Sequence, residues 1–201
     1  MQYIKGLDAF DGRNHTAVTL GKFDGLHRGH QKLLNRIMKY AKKEDCDSVV
    51  CAFDMDRDCL MTNEERRAFL EDKVDYLIEI PFTREMMEME AEKFIDEILY
   101  KKLHASHIVV GTDFNFGHEK RGNHQMLEKY AAKYGYTVDV VEKAYYKDRE
   151  ISSTYIRELL LDGNVPLANE LLGYPYEITS VVEHGQQLGR TLGFPTMNLA
   201  P

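Results

Sequence analysis

The sequence lacks the features that mark nucleic-acid-binding, secreted and membrane-spanning proteins. Its 201 residues carry a net charge of -7, whereas affinity for nucleic acid depends on clustered lysine and arginine side chains that neutralise phosphates. The N-terminus has no apolar stretch typical of a signal peptide. No later run approaches the ~20 apolar residues needed to span a bilayer. We therefore predict a cytoplasmic protein that binds small molecules and neither nucleic acid nor membranes; the sequence indicates no oligomeric state.

Cysteine is also scarce. Cys46, Cys51 and Cys59 form no Cys-x-x-Cys pair, and an odd number of thiols cannot close a complete set of disulfides. We therefore predict reduced thiols. The 43% of hydrophobic residues and 29% of charged residues are typical of one ordinary globular domain, with a short piece of a second.

Short runs rich in β-forming, apolar residues alternate with segments of helical period. Strands are predicted at 16–20, 48–53, 75–80, 107–110 and 136–141, and helices at 33–41, 64–73, 91–99 and 126–134, the last closed by Gly135. Strands that alternate with helices imply parallel βαβ units, whose crossovers cover both faces of a sheet. The pattern predicts a doubly wound α/β domain.

The character of the chain changes after residue 150. Ser152 or Ser153 is a candidate N-cap for one short helix, and a second is predicted to start at Pro166 and end before Gly173. The domain is thus expected to close with a small helical segment.

The last residues resemble the beginning of another unit. A strand is predicted at 176–182, and the glycine-rich stretch 185–196 is predicted to be a loop. A tail of about 25 residues cannot build a core of its own. We interpret it as an incomplete β segment, with a boundary near 173–175.

The segment 21–30, Gly-Lys-Phe-Asp-Gly-Leu-His-Arg-Gly-His, leaves the first predicted strand at the edge where open α/β sheets bind ligands. Gly25 and Gly29 let the backbone approach a ligand, and the following helix directs free N–H groups at an anion. His27 and His30, three residues apart, are predicted to face the same phosphate site. There they would donate hydrogen bonds and gain charge easily as negative charge builds on a leaving pyrophosphate.

Other interpretations of this turn have to be weighed. An ordinary strand-to-helix turn with exposed histidines explains an isolated His-x-Gly-His equally well. A zinc site needs a third ligand, and nothing nearby has suitable spacing. A Walker A loop is excluded because the Gly-Lys-Ser or Gly-Lys-Thr ending is missing.

A second segment follows the strand that ends at Val110. It reads Gly-Thr-Asp-Phe-Asn-Phe-Gly at 111–117. Phe114 and Phe116 can stack on a flat ring, or they can be core residues. Asp113 can bind a ribose hydroxyl or an adenine amine.

A third segment, Ile-Ser-Ser-Thr-Tyr-Ile-Arg at 151–157, places hydroxyl groups at the start of a helix and Arg157 one turn in. Such a segment offers a second anion site with a bidentate donor. A plain N-cap explains the serines equally well, but it does not explain all three segments together.

Taken together, these segments resemble the bacterial bifunctional riboflavin kinase/FAD synthetase family. The matching motifs are FDGLHRGH at 23–30, GTDFNFG at 111–117, ISSTYIR at 151–157 and LGRTLGFPTMN at 188–198. The last is similar to the start of the family's kinase domain. The resemblance implies that 1–173 form an FMN adenylyltransferase domain with a Rossmann-like nucleotidyltransferase sheet and C-terminal helices. It also implies that 174–201 begin a riboflavin kinase β-barrel.

The resemblance implies a reaction in which the FMN phosphate attacks the α-phosphorus of ATP, so that FAD and pyrophosphate form with Mg²⁺ stabilising the transition state. The implied catalytic residues are His27, His30 and Arg157. The implied ATP-binding residues are Gly21, Phe23, Asp24, Gly29, Asp113, Ser152 and Thr154. Phe53 and Phe116 are expected to contact the flavin. No side chain of this domain is assigned to Mg²⁺, whereas Thr196 and Asn198 would bind Mg²⁺ in a complete, riboflavin-phosphorylating kinase domain.

Two departures from the family pattern leave alternatives open. The segment 53–58 reads Phe-Asp-Met-Asp-Arg-Asp and lacks the proline and histidine of the family's Phe-Asp-Pro-His-Pro-like segment, which changes flavin or Mg²⁺ contacts. Most of the kinase domain is missing, so we expect no kinase activity from these residues alone. The alternatives are a related nucleotidyltransferase with another phosphorylated acceptor, and a nucleotide- or flavin-binding module without catalysis.

Overall fold

The fold was analysed in a computed structural model, which describes residues 1–54, 59–186, 188–194 and 196–199. The strands are β1 (Gln2–Lys5), β2 (Thr16–Gly21), β3 (Asp47–Phe53), β4 (Tyr76–Ile80), β5 (Ala105–Gly111), β6 (Asn115–Phe116), β7 (Gly122–Asn123), β8 (Thr137–Val141), β9 (Tyr145–Tyr146), β10 (Arg149–Glu150), β11 (Val182–Glu183) and β12 (Asn198–Leu199). The helices are α1 (Arg28–Glu44), α2 (Asn63–Leu70), α3 (Arg84–Glu88), α4 (Ala91–Lys93), α5 (His124–Tyr134), α6 (Ser153–Leu161), α7 (Val165–Leu172) and α8 (Leu188–Thr191). Helix α4 continues as a π-helical segment, Phe94–Lys102.

Six strands form the central sheet in the order β1-β4-β3-β2-β5-β8, and every neighbouring pair is parallel. The chain builds outward from β2 in one direction through β3 and β4, and then in the other through β5 and β8. The predicted doubly wound α/β fold is confirmed. The order reverses between β2 and β5, so the carboxyl ends of these two strands border the crevice in which such sheets bind ligands.

The two faces of the sheet carry separate hydrophobic cores because successive strand residues point to opposite sides. In β3, Val49 and Cys51 join the core beneath the π-helical segment and α5, whereas Val50 and Ala52 join the core beneath α1 and α2. Both faces are therefore buried, which explains why the strands read as continuous apolar runs.

Helices α6 and α7 pack on each other and close one end of the domain. Their buried side chains form a third hydrophobic core together with Leu60. The members of this core include Ile151, Ile156, Leu159, Ala168 and Leu171. Ser152 is the N-cap of α6, and its hydroxyl accepts the Tyr155 N–H at 3.2 Å. Both predicted C-terminal helices are confirmed.

The structure corrects the prediction at several boundaries. Strand β1 was not foreseen, and α2 ends at Leu70 rather than at residue 73. The predicted strand at 176–182 is wrong, since only Val182–Glu183 is extended, paired with β12. The reason is that polar side chains bind its backbone: Asn169 accepts the N–H of Tyr176, and Glu65 accepts that of Thr179.

The tail differs from the prediction in one more respect, because 185–196 contains the short helix α8 within the expected loop. Among the residues that the structure describes, no helix has both the length and the apolar character required to cross a membrane.

Candidate active site

The turn between β2 and α1 lies at the reversal point of the sheet. It contains a short 3-10 turn, Asp24–Leu26, and its backbone is left-handed at Phe23 (φ 52°), Gly25 (φ 70°) and Leu26 (φ 37°). A left-handed backbone conformation is unfavourable for residues other than glycine, so contacts with the surrounding structure must hold it in place. No side chain among the described residues caps α1, which leaves N–H groups of its first turn available to an anion.

His27 and His30 stack at the entrance of α1. Their ring centroids are 3.8 Å apart with an interplanar angle of 24°, and the ring of Phe23 lies 5.2 Å from that of His30. Both Nδ1 atoms are buried and have no hydrogen-bond partner in the described structure. The fold thus brings the two predicted histidines together, with unsatisfied nitrogens at the end of a helix.

Without a bound anion, burial disfavours charge on both of these histidines. Burial lowers the pKa of His27 from 6.5 to about 4. Burial, with a smaller contribution from His27, lowers the pKa of His30 well below its usual value. Both imidazoles are therefore neutral near pH 7 and act as hydrogen-bonding groups; a bound anion would have to supply the field that charges them.

Gly29 is required by the position of the first histidine. A Cβ atom at this residue would lie 3.0 Å from both Cε1 and Nδ1 of His27, which is tighter than ordinary contact. A side chain here would push the imidazole away from the helix end. The sequence interpretation of Gly29 as a point of close approach thus has a specific structural counterpart, although the contact is to His27.

Asp24 connects this turn to α6. Its side chain is buried, and one carboxylate oxygen accepts the Leu60 N–H at 2.7 Å while the other lies 2.9 Å from the Arg157 guanidinium. Burial raises the Asp24 pKa, although the Leu60 N–H and Arg157 oppose that shift. Ser153 adds a hydrogen bond from its hydroxyl to the Asp24 carbonyl at 2.9 Å. The predicted arginine is therefore held beside the turn by an aspartate 133 residues away in sequence.

The ion pair with Asp24 occupies only part of the Arg157 guanidinium. Its Nε atom is buried without a hydrogen-bond partner among the described residues, and its side chain remains one-third exposed. Thr154 lies exposed in the first turn of α6. The amino ends of α1 and α6 are thus linked through Asp24, with a guanidinium between them that can bind a further anion.

The loop after β5 combines an exposed carboxylate with a buried aromatic ring. Asp113 is 65% exposed at its side chain, and its carboxylate lies 3.0 Å from the Lys143 ammonium group. Phe116 is 7% exposed and packs against Phe94 and Phe114, at ring distances of 5.3 and 5.6 Å. Its surroundings are those of a core residue, one of the two interpretations left open by the sequence.

Phe53 ends β3 beside the first aromatic residue after β4. Its ring meets that of Phe82 edge to face at 5.9 Å, and the side chain of Phe82 is largely exposed. Residues 55–58, which complete the divergent segment, lie outside the described residues. Among the described residues at this edge, Phe82 therefore supplies most of the exposed aromatic surface, and Phe53 is half-buried beneath it.

The sequence interpretation missed two charged groups near the site. Lys143 bridges Asp113 and Glu150 beyond β8, and its hydrogen bond to Glu150 raises its pKa. Arg66 is fully buried; it pairs with Glu79 at 3.1 Å and donates to the Lys22 carbonyl at 3.1 Å. No sequence motif indicates either residue. The position of Arg66 on the apolar face of a predicted helix could nevertheless have revealed it.

The described residues include no group of three or more histidine, cysteine, aspartate or glutamate side chains placed to hold a metal ion. In the C-terminal segment Thr196 and Asn198 are both exposed, and Asn198 pairs with Glu183 in the β11–β12 ladder. Pro195 of the same motif lies outside the described residues.

Comparison with protein families identifies two matches. Residues 10–155 match the FAD synthetase family, and residues 172–201 match the riboflavin kinase family. The first match includes the turn, the loop after β5 and the amino end of α6.

Relatives called bifunctional riboflavin kinase/FMN adenylyltransferase are similar along the chain. The protein of Buchnera aphidicola subsp. Schizaphis graminum is 35% identical, covering 100% of this chain and 68% of the relative. That of Escherichia coli K12 is 35% identical over 90% of this chain and 62% of the relative. That of Haemophilus influenzae is 36% identical over 99% and 68%. The chain therefore spans about two thirds of the length of these relatives.

A solved structure shares the fold. A crystal structure from Streptococcus pneumoniae, described as a macrolide-efflux protein, superimposes with a TM-score of 0.87 and 32% sequence identity, over 99% of this chain and 68% of that one. The description of efflux concerns the streptococcal protein, while the likeness supports the doubly wound architecture.

Proposed function

The chain belongs to the FAD synthetase family, and we propose that its crevice between β2 and β5 transfers the adenylyl group of ATP to FMN, forming FAD and pyrophosphate. One observation carries the assignment of this site. The reversal point of the sheet brings together an uncapped helix N-terminus, two histidines whose Nδ1 atoms are buried and unsatisfied among the described residues, and a partly unpaired arginine.

The ATP phosphates bind at the amino end of α1. There the backbone N–H groups and the helix dipole attract the anion, and neutral His27 and His30 donate hydrogen bonds to phosphoryl oxygens. Phe23 lies against the ring of His30, while Gly21 and Gly29 leave room for the rings of Phe23 and His27. Because these groups are already in place, they need little reorganisation when charge develops.

The FMN phosphate oxygen attacks the α-phosphorus of ATP. A new P–O bond forms as the bond from the α-phosphorus to the bridging oxygen breaks, and pyrophosphate leaves with the electron pair. Arg157 stabilises the added negative charge through its bidentate guanidinium. Asp24 acts through Arg157 and orients it. No covalent bond to the protein is required.

The remaining ATP contacts come from α6 and from the loop after β5. Ser152 and Thr154 offer hydroxyls at the start of α6, and Asp113 offers an exposed carboxylate to the ribose hydroxyls or the adenine amine. Lys143 neutralises Asp113 and adds a cation at the same edge. We assign these residues to orientation of the nucleoside.

The flavin is assigned to the aromatic surface at the ends of β3 and β4. Phe53 and the exposed Phe82 offer their rings to the isoalloxazine. Phe116 contributes indirectly to the flavin site, because its ring packs against Phe114 and supports the 111–117 loop.

Mg²⁺ would enter with the ATP phosphates. This ion binds phosphates readily and keeps several of its waters, so it does not require the cage of protein ligands that the described residues lack. When bound, it would supply positive charge for the leaving pyrophosphate. The kinase-like segment, with Thr196 and Asn198, would bind Mg²⁺ only within a complete riboflavin kinase domain. The expected compartment is the cytoplasm.

The decisive measurement is formation of FAD from ATP, FMN and Mg²⁺, with pyrophosphate followed in parallel. We expect both products in equal amounts, and none when riboflavin replaces FMN, because riboflavin lacks the attacking phosphate. Pyrophosphate release without FAD, seen with another phosphorylated acceptor, would identify a related nucleotidyltransferase. Binding of both substrates without turnover would identify a non-catalytic module.

Arg157→Lys tests the position of the reaction. Lysine keeps the charge but loses the planar fork, so we expect at least a tenfold fall in kcat. Arg149→Lys is the matched control, since Arg149 pairs with Glu158 on the exposed side of α6. Equal activity of the two variants would place the reaction elsewhere.

A further inference from the structure

The phosphate turn is held from behind by the end of α7 and by Tyr174, two residues beyond that helix. The Tyr174 hydroxyl donates to the carbonyl of Gly25 at 2.6 Å. Gln31, on α1, donates from one Nε2 atom to the carbonyl of Leu26 at 2.9 Å and to that of Leu172 at 2.8 Å. Consecutive peptide groups of the turn are therefore bound to a segment almost 150 residues away in sequence.

These two carbonyls belong to residues with left-handed backbone, Gly25 and Leu26. A left-handed conformation at a leucine costs on the order of 1–2 kcal/mol and persists only where neighbouring contacts determine it. The next residue, His27, begins the phosphate site. Loss of either hydrogen bond would therefore free the peptide groups that set the direction of the His27 ring.

The geometry of Tyr174 suits this task. Its ring lies 5.1 Å from that of Phe69 on α2, and the side chain is partly buried against the core beneath α1 and α2. Burial raises the pKa of its hydroxyl, which keeps the proton on the donor throughout the neutral range. Gln31 is held equally well, since its amide bridges two carbonyls at normal distances.

We propose that Tyr174 and Gln31 are positioning residues for adenylyl transfer, and that through them the end of α7 and the residues just after it control the shape of the phosphate turn. The inference rests on the proposed function for its kinetic form. Neither residue touches a reacting atom. Their contribution is to hold the amino end of α1 and His27 in the arrangement that the phosphates require.

A positioning role predicts a specific kinetic pattern. Tyr174→Phe removes one hydrogen bond and leaves the ring on Phe69. We expect kcat to fall about five- to tenfold and the Kd of ATP to rise about fivefold, with the KM of FMN unchanged. The same substitution at Tyr176 is the matched control, because that residue contacts Asn169 through its backbone and should retain wild-type values.

Gln31→Met keeps the length of the side chain and removes the amide donor. We expect it to reproduce the pattern of Tyr174→Phe, and the double variant to lose less than the product of the two single effects, because both bonds hold one turn. Thermal unfolding of each variant separates positioning from folding. Variants with reduced Tm but wild-type kcat and ATP affinity would overturn the proposal.

The outcomes separate this proposal from the proposed function. If the wild-type chain forms no FAD, the proposed function fails, while the ATP affinities of Tyr174→Phe and Tyr176→Phe still decide the role of Tyr174. If the wild-type chain forms FAD and Tyr174→Phe matches it in kcat and ATP affinity, only the positioning role is rejected.

Discussion

The turn at 21–30 and the loop at 111–117 follow neighbouring parallel strands, yet they are built in different ways. The first is buried and bound by side chains from distant parts of the chain: Arg66, Arg157 and Tyr174. The second presents an exposed Asp113 above a base of packed aromatic rings. One side of the crevice is buried and tied to distant segments, and the other side is exposed.

This difference fits the two tasks of an adenylyltransferase. Stabilising the charge that develops during phosphoryl transfer depends on groups fixed before the reaction, because any movement then costs free energy. Recognition of a nucleoside needs fewer fixed groups, since its hydroxyls and ring can be met by mobile side chains. We therefore expect substitutions in the turn to lower kcat and substitutions in the loop to raise KM.

The largest effect is expected from His27→Ala. Loss of a fixed hydrogen-bond donor to a developing charge typically lowers kcat by about 10²–10³-fold. His15→Ala is the control, because that histidine is exposed before β2. The measurement is kcat for FAD formation. Full turnover by His27→Ala would remove the contrast between turn and loop.

A second effect should appear in stability against pH. His27 has a pKa of about 4 in the folded chain and 6.5 as its ordinary value. The unfolded chain therefore binds more protons between these values, and stability is lost as the pH falls from 6.5 towards 4. The expected loss due to His27 is about 3 kcal/mol at most, measured by denaturant unfolding.

His27→Gln should reduce the slope in that part of the pH profile, because glutamine has no proton to gain, and the slope that remains is due to His30, whose pKa burial also lowers. The exposed His15→Gln variant should retain the wild-type slope. Parallel profiles for wild type and His27→Gln would show that His27 is not the buried neutral group described above.

The smallest effect is expected at the loop. Asp113→Asn keeps the hydrogen-bonding shape and removes the charge, so the KM of ATP should rise by less than about tenfold with kcat unchanged. Asp148→Asn, the same change at an exposed turn residue, should leave both constants unchanged. A large fall in kcat for Asp113→Asn would show that the loop, too, stabilises the charge that develops in the reaction.

Much of the fold was predictable because apolar periodicity and glycine positions are local signals. The strands of the interior and the helix ended by Gly135 followed from them. The edge strand β1 was not predicted because its four residues give too short a pattern. The strand predicted at 176–182 was wrong because two polar side chains, the nearby Asn169 and the distant Glu65, bind its backbone.

The candidate site was partly predictable for the same reason. His27, His30 and Arg157 lie in short motifs whose residue types already indicate anion binding. Their neutral state and their mutual geometry were not predictable, since burial and stacking depend on chain segments that meet only in the folded protein. Arg66 and Tyr174 carried no motif, and their contacts to the turn became visible only in three dimensions.

By itself the sequence determined the α/β class, the positions of the three site segments and, through their motifs, the family. Tertiary structure alone decided which carboxylate orients Arg157, which aromatic side chains remain exposed and what holds the left-handed turn in place. The physical reason is range: periodicity and turn chemistry act over a few residues, whereas desolvation and hydrogen bonding to the turn require partners more than a hundred residues apart.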